Sequence, residues 1–129
     1  MSVELQMLGW SVCLGLLYLV VAASLSTQQR GLTWNAGNRD GEVKPLIGVA
    51  ARADRAYRNF LETFPFFAAA VLAVVAQGSG KGHSAMGAEL YFWARLVYLP
   101  VYIVGIPYLR TAVWAVSIAG VVMLLAAWL

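Results

Sequence analysis

The sequence predicts an all-α fold, an integral membrane four-helix bundle forming one domain over residues 1–129. Three observations carry that expectation. The chain is 61% hydrophobic with a mean hydropathy of +0.73, above the apolar fraction of ordinary soluble domains. Four predominantly apolar runs have about the 20 residues a helix needs to cross the hydrocarbon core. The segments between them are too short to form a soluble domain, so any chemistry has to be assembled from the helices and their connections.

The first predicted helix covers residues 5–25, preceded only by Glu4. A cleaved signal segment would open with positive charge, whereas here the charges follow the apolar run, which predicts a retained span. The connection over 27–45 is the longest and carries its turn formers at Gly31, Asn35, Gly37, Asn38, Asp40 and Gly41. Pro45 suits a helix start, so the second predicted helix covers 46–77, with an extramembrane beginning and a kink at Pro65. Its alanines Ala69, Ala73 and Ala76 share one face and allow close approach of a neighbouring helix. A glycine-rich turn over 78–84 leads into the third helix, 85–105, interrupted at Pro100 and ended by Gly105-Ile106-Pro107. The fourth, 111–129, is apolar throughout, with Trp114 and Trp128 near the two interfaces.

Charge placement predicts the orientation. Arg30, Arg39, Lys44, Arg52, Arg55 and Arg58 fall in the first connection or just after it, and Arg110 in the third, whereas the second holds only Lys81. The positive-inside rule then places the first and third connections in the cytoplasm and both termini outside. The net charge of +3 is too small, and the arginines too close to the apolar runs, for a nucleic-acid surface. The single cysteine, Cys13, cannot form an intrachain disulfide, and neither it nor the loop residue His83 has neighbours that make a metal site.

The chemistry is concentrated in two polar stripes. Arg52, Arg55, Asn59 and Glu62 recur at i, i+3, i+7 and i+10, with Arg58 beside them, and so share one face of the second helix. Tyr91, Arg95, Tyr98 and Tyr102 recur at i, i+4, i+7 and i+11 on the third. Charged groups at membrane depth cost roughly 2.5–3.5 kcal/mol each unless they face protein, water or a ligand. A structural ion pair between Arg95 and Glu62 would account for two of them. Arg55, Asn59 and the tyrosine pair at the same cytoplasmic depth exceed that need and suit a small zwitterionic peptide. Guanidiniums grip its carboxylates, an amide reads its peptide groups, and a carboxylate holds its ammonium.

The stretch RAYRNFLETFP, 55–65, resembles the second-helix signature of the MAPEG family, the membrane-associated proteins in eicosanoid and glutathione metabolism: an arginine, an asparagine four residues on, a glutamate seven on, and a proline close behind. With Arg58 included it is similar to the prostaglandin E synthase branch, and ARLVYLPVY, 94–102, resembles the family's third-helix pattern. The likeness covers essentially the whole chain, which resembles a small, bacterial-type member of the microsomal glutathione transferase and prostaglandin E synthase group.

The resemblance implies a homotrimer with glutathione as co-substrate, bound in crevices between subunits, and no metal. It implies that Arg55, Arg58, Asn59, Glu62, Tyr98 and Tyr102 bind glutathione, joined by Arg30 from the adjacent subunit. Arg110 becomes the catalytic residue that holds the thiolate, although Gly105-Ile106-Pro107 alters the family's spacing between it and Tyr102. The implied function is a membrane-bound glutathione transferase or peroxidase acting on a hydrophobic small-molecule substrate from the lipid bilayer, in the cytoplasmic membrane of a bacterium, with its site facing the cytoplasm. Two other readings stand beside it. One is a binding or scaffold protein of the same family without catalysis. The other is a small proton-coupled transporter, against which stands the position of the membrane glutamate in the second helix instead of the first.

Overall fold

The computed structural model describes all residues, 1–129, and contains five helices and no strand. α1 spans Val3–Arg30, α2 Leu32–Ala36, α3 Gly48–Gln77, α4 Gly82–Val104 and α5 Pro107–Trp128. The four long helices form the bundle; α2 is a single short turn of helix within the first connection, which turn propensity alone did not reveal.

α1 runs past the end of its apolar run, through Thr27 to Arg30, because hydropathy marks the thickness of a membrane and not the end of a helix. Ser2 caps its start, its Oγ accepting from the Leu5 amide at 3.2 Å. Gly31, at φ 91°, ends it. Pro45 does not open α3. The backbone of Ile47 is held extended by Gln29, whose Oε1 accepts from the Ile47 amide at 3.0 Å and whose amide donates to its carbonyl at 2.8 Å, so the helix begins only at Gly48. α3 is then continuous through Pro65, and α4 through Pro100 where an interruption was expected. Proline is tolerated in membrane helices because the freed carbonyl finds other partners. Pro107 sits in the first turn of α5, where its missing N–H costs nothing.

α3 and α4 form the centre of the bundle. α1 packs on both from one side and α5 on both from the other, and α1 and α5 do not meet. The closest helix contact is between α4 and α5: a Cβ added to Gly87 would lie 2.5 Å from the Gly120 carbonyl, and one on Gly120 equally close to the Gly87 carbonyl. Only glycine fits at either position. One apolar cluster, including Phe67, Val74, Tyr91 and Leu124, fills the half of the bundle near the α3–α4 turn. A second, including Leu14, Tyr18, Phe60, Leu99 and Tyr102, fills the half near the α4–α5 connection. At the outer end of the first half, buried Glu4 accepts from Ser84 Oγ at 2.6 Å and ties the start of α1 to the α3–α4 turn.

α1, α3 and α5 are long and apolar enough to cross a membrane. α4, at 23 residues, has the length, and its mean hydropathy is lowered by groups that point inward: Tyr91, Arg95, Tyr98 and Tyr102 are all buried. The outer surface carries the large apolar residues instead, among them Leu16, Val20, Phe66, Leu72, Trp93 and Val122. A bundle that buries its polar stripe and exposes its leucines is built for lipid as solvent.

Candidate functional site

The two stripes read from the sequence meet at one end of the bundle. A cavity of about 420 Å³ opens there between α3, α4 and the first turns of α5. Its lining takes Arg55, Arg58, Asn59 and Glu62 from α3 and Tyr98 and Tyr102 from α4. α5 adds Arg110, Thr111 and Trp114. The volume falls within the roughly 300–1,000 Å³ of small-molecule sites. Seven of the eight residues expected to bind or act on glutathione therefore share one cavity. Thr111 and Trp114 were not expected in it. Trp114 follows Arg110 at i+4, on the same helical face, and that spacing was the available signal; Thr111 is simply its neighbour in the chain.

The electrostatics are set by three guanidiniums and one carboxylate. Only one ion pair exists in the chain, Arg58 Nε to Asp54 at 3.1 Å on the rim. Arg55 and Arg110 have no acidic partner and both converge on Tyr102. Arg55 Nε donates to the Tyr102 hydroxyl at 3.2 Å, and the Arg110 guanidinium lies 4.7 Å from the centre of the Tyr102 ring. Both side chains line the cavity. Exposed Glu62 likewise has no cationic partner and is free to accept from a ligand.

Arg95 does not pair with Glu62, which corrects the expectation of a structural ion pair. Its Nη1 donates to Asn59 Oδ1 at 2.7 Å, one turn earlier on α3, while Glu62 faces the cavity. The side chain of Arg95 is completely buried, with its guanidinium over the rings of Tyr98 at 4.9 Å and Tyr91 at 5.6 Å. Its Nε and Nη2 have no partner. A guanidinium only donates, so the contact fixes the amide of Asn59 with its oxygen toward Arg95 and its NH₂ left to the cavity. Asn59 is thus presented as a donor, ready for a carbonyl or carboxylate.

Arg30 lies elsewhere. It ends α1, donates from Nε to the Lys44 carbonyl at 2.7 Å and stacks 5.3 Å from the Trp34 ring. It borders a separate groove on the α1 flank of α3, together with Asp54, Tyr57 and Arg58. Arg30 does not line the cavity of its own chain. Arg52, the first member of the α3 stripe, is also outside: its Nε donates to the Ile103 carbonyl at 2.8 Å and secures the end of α4.

A second, apolar groove of about 460 Å³ lies farther along α3 and α5, with no lining residue in common with the cavity. It starts at Thr63, the residue after Glu62, and at Ile118, one turn beyond Trp114, and extends to Ala73 and Trp128. Ala69, Ala70 and Ala73 leave its floor open. A cationic, hydrogen-bonding chamber and an apolar trough thus lie between the same two helices, α3 and α5.

A sequence model of the MAPEG family matches residues 7–129, nearly the whole chain. No curated protein sequence is similar enough to match. The chain belongs to the MAPEG family, which includes glutathione transferases and related enzymes.

Proposed function

We propose that the polar cavity binds glutathione and that the protein is a glutathione-dependent transferase or peroxidase for lipophilic electrophiles or hydroperoxides. The observation that carries this reading is the convergence of Arg55, Arg58, Asn59, Glu62, Tyr98, Tyr102 and Arg110 on one cavity. Three guanidiniums against one carboxylate give the chamber a formal charge of +2. Glutathione with its thiol ionised carries two carboxylates, one ammonium and one thiolate, a net charge that balances the chamber. Glu62 suits the ammonium, Arg55 and Arg58 the carboxylates, and the Asn59 NH₂ a peptide carbonyl.

Arg110, on the α5 wall next to Trp114, is the cation left for the sulfur. A free thiol ionises near pH 8.5, and a guanidinium beside it favours the thiolate and sends the proton to solvent. The thiolate then forms a carbon–sulfur bond to an electrophile, whose leaving group departs or whose double bond takes the electron pair. With a hydroperoxide it attacks the terminal oxygen, breaking the O–O bond and expelling the alkoxide, which takes a proton from solvent to leave as the alcohol, and a second glutathione converts the resulting sulfenic acid to the disulfide and water. The apolar trough beginning at Thr63 and Ile118 offers the lipophilic partner a route from the bilayer.

The same reading extends to assembly and orientation. The Arg30 groove and the cavity lie on opposite flanks of α3 and share Arg58. A head-to-tail ring of three chains would bring one flank against the other and supply Arg30 from the adjacent subunit. Arg30, Arg39, Lys44, Arg52, Arg55 and Arg58, gathered at the end of the bundle where the cavity opens, support by the positive-inside rule a cavity facing the cytoplasm from a bacterial inner membrane. Calorimetric titration of glutathione into the purified, detergent-solubilised protein tests the reading directly, and absence of saturable heat would overturn it.

A further inference from the structure

The geometry points to Tyr102 as a positioning residue that divides the two tasks of the cavity, its hydroxyl setting the binding arginine and its ring setting the arginine beside the sulfur. The functional half of this inference rests on the glutathione reading; the geometric half does not. Tyr102 contacts both guanidiniums. Its hydroxyl accepts from Arg55 Nε at 3.2 Å, and its ring face lies 4.7 Å from the Arg110 guanidinium. The Arg55 guanidinium stands farther from the same ring, at 5.9 Å, so its principal tie is the hydroxyl. Neither arginine has a carboxylate within reach.

Tyr102 itself is fixed. It is 8% exposed, and its ring meets that of Tyr98 edge-on, with centroids 5.5 Å apart and planes at 74°. Three residues on, α4 ends at Gly105, whose amide donates to the Val101 carbonyl at 3.0 Å with φ at 89°. Arg52 from α3 grips the Ile103 carbonyl beside it. The end of the helix is therefore held on both sides of Tyr102, and an aromatic ring has only two side-chain torsions to order. A long arginine side chain is otherwise free to sample many rotamers, and a fixed ring face narrows that choice without occupying its N–H donors. Ring and hydroxyl are chemically separable, so the two tasks are separable by substitution. Tyr102→Phe keeps the face and removes the acceptor. Tyr102→Leu removes both.

The first measurement needs no ligand. The chain is treated with phenylglyoxal and modification of Arg55 and Arg110 is followed by peptide mass spectrometry. In Tyr102→Phe, Arg55 reacts severalfold faster than in the unmodified chain and Arg110 reacts at its original rate. In Tyr102→Leu, both react severalfold faster. The second measurement uses glutathione. Tyr102→Phe weakens affinity about two- to tenfold, the effect of one net hydrogen bond, and leaves the pH midpoint of the bound thiolate absorbance in place. Tyr102→Leu also shifts that midpoint upward. Arg110 reacting alike in Phe and Leu variants, or equal thiolate midpoints in both, would overturn the proposal. If no form of the protein binds glutathione, the ligand reading fails while the phenylglyoxal rates still decide whether Tyr102 positions the two arginines.

Discussion

Arg55→Ala isolates the binding half of the site. In the structure Arg55 has one polar contact, to the Tyr102 hydroxyl at 3.2 Å, and no acidic partner. Its removal leaves no buried carboxylate unpaired, and Tyr102 keeps its ring contact with Arg110. The loss on ligand binding is then that of a charge-assisted hydrogen bond to a carboxylate, about 1.5–3 kcal/mol. That corresponds to a roughly 10- to 150-fold weaker affinity for glutathione. Arg55 is solvent-exposed in the free chain, which places the effect below the 3–5 kcal/mol typical of breaking a fully buried pair. The assay is calorimetry on the solubilised variant beside Glu62→Ala, which loses the proposed ammonium partner, and His83→Ala, an exposed control in the first turn of α4 at the far end of the bundle. Unchanged affinity in both Arg55→Ala and Glu62→Ala would refute the assignment of the cavity. A comparable loss in His83→Ala would show that the effect is not local to it.

Three further outcomes follow from the same geometry. Arg110→Ala keeps most of the affinity but raises the bound thiol toward its free value near pH 8.5, so turnover falls at neutral pH and recovers as pH rises; thiolate absorbance against pH checks this, and an unmoved midpoint would remove the catalytic role. In a Cys13→Ser background, single cysteines in the 32–44 connection stay unlabelled by a membrane-impermeant reagent applied outside intact cells, and one at residue 80 is labelled; the reverse pattern would invert the topology. Native mass measurement in mild detergent gives a trimer that loses stability on removal of Arg30, whereas a stable dimer would count against a ring that completes the cavity from its neighbour.

What could be read from the sequence follows the range over which each feature is encoded. Arg55, Asn59 and Glu62 share a face because helical periodicity is local, and so do Tyr98 and Tyr102. That the two faces meet followed from antiparallel neighbours joined by a short turn. The fate of the charges was less legible. Arg95 and Glu62 have opposite sign and similar depth, yet Asn59 stands one turn nearer and takes the guanidinium, leaving the glutamate to the cavity. The flank on which Arg30 lies depends on α1 and α5 packing on opposite sides of the central pair, which periodicity does not encode. Trp114 reads as an interfacial anchor by composition and becomes a cavity wall because α5 begins at Pro107, one turn earlier than its apolar run. The start of α3 shifted for a tertiary reason as well: Gln29, from another helix, holds Ile47 extended.

The central claim is that this +2 chamber recognises reduced glutathione with its thiol ionised. The most direct measurement is calorimetric titration of glutathione into the solubilised protein at several pH values and in two buffers of different ionisation heat. Binding that strengthens as pH rises toward 8.5, with a fraction of a proton released per site at neutral pH, is the predicted result. Saturable binding with no proton release would contradict thiolate stabilisation, and no saturable binding at any pH would contradict the site itself.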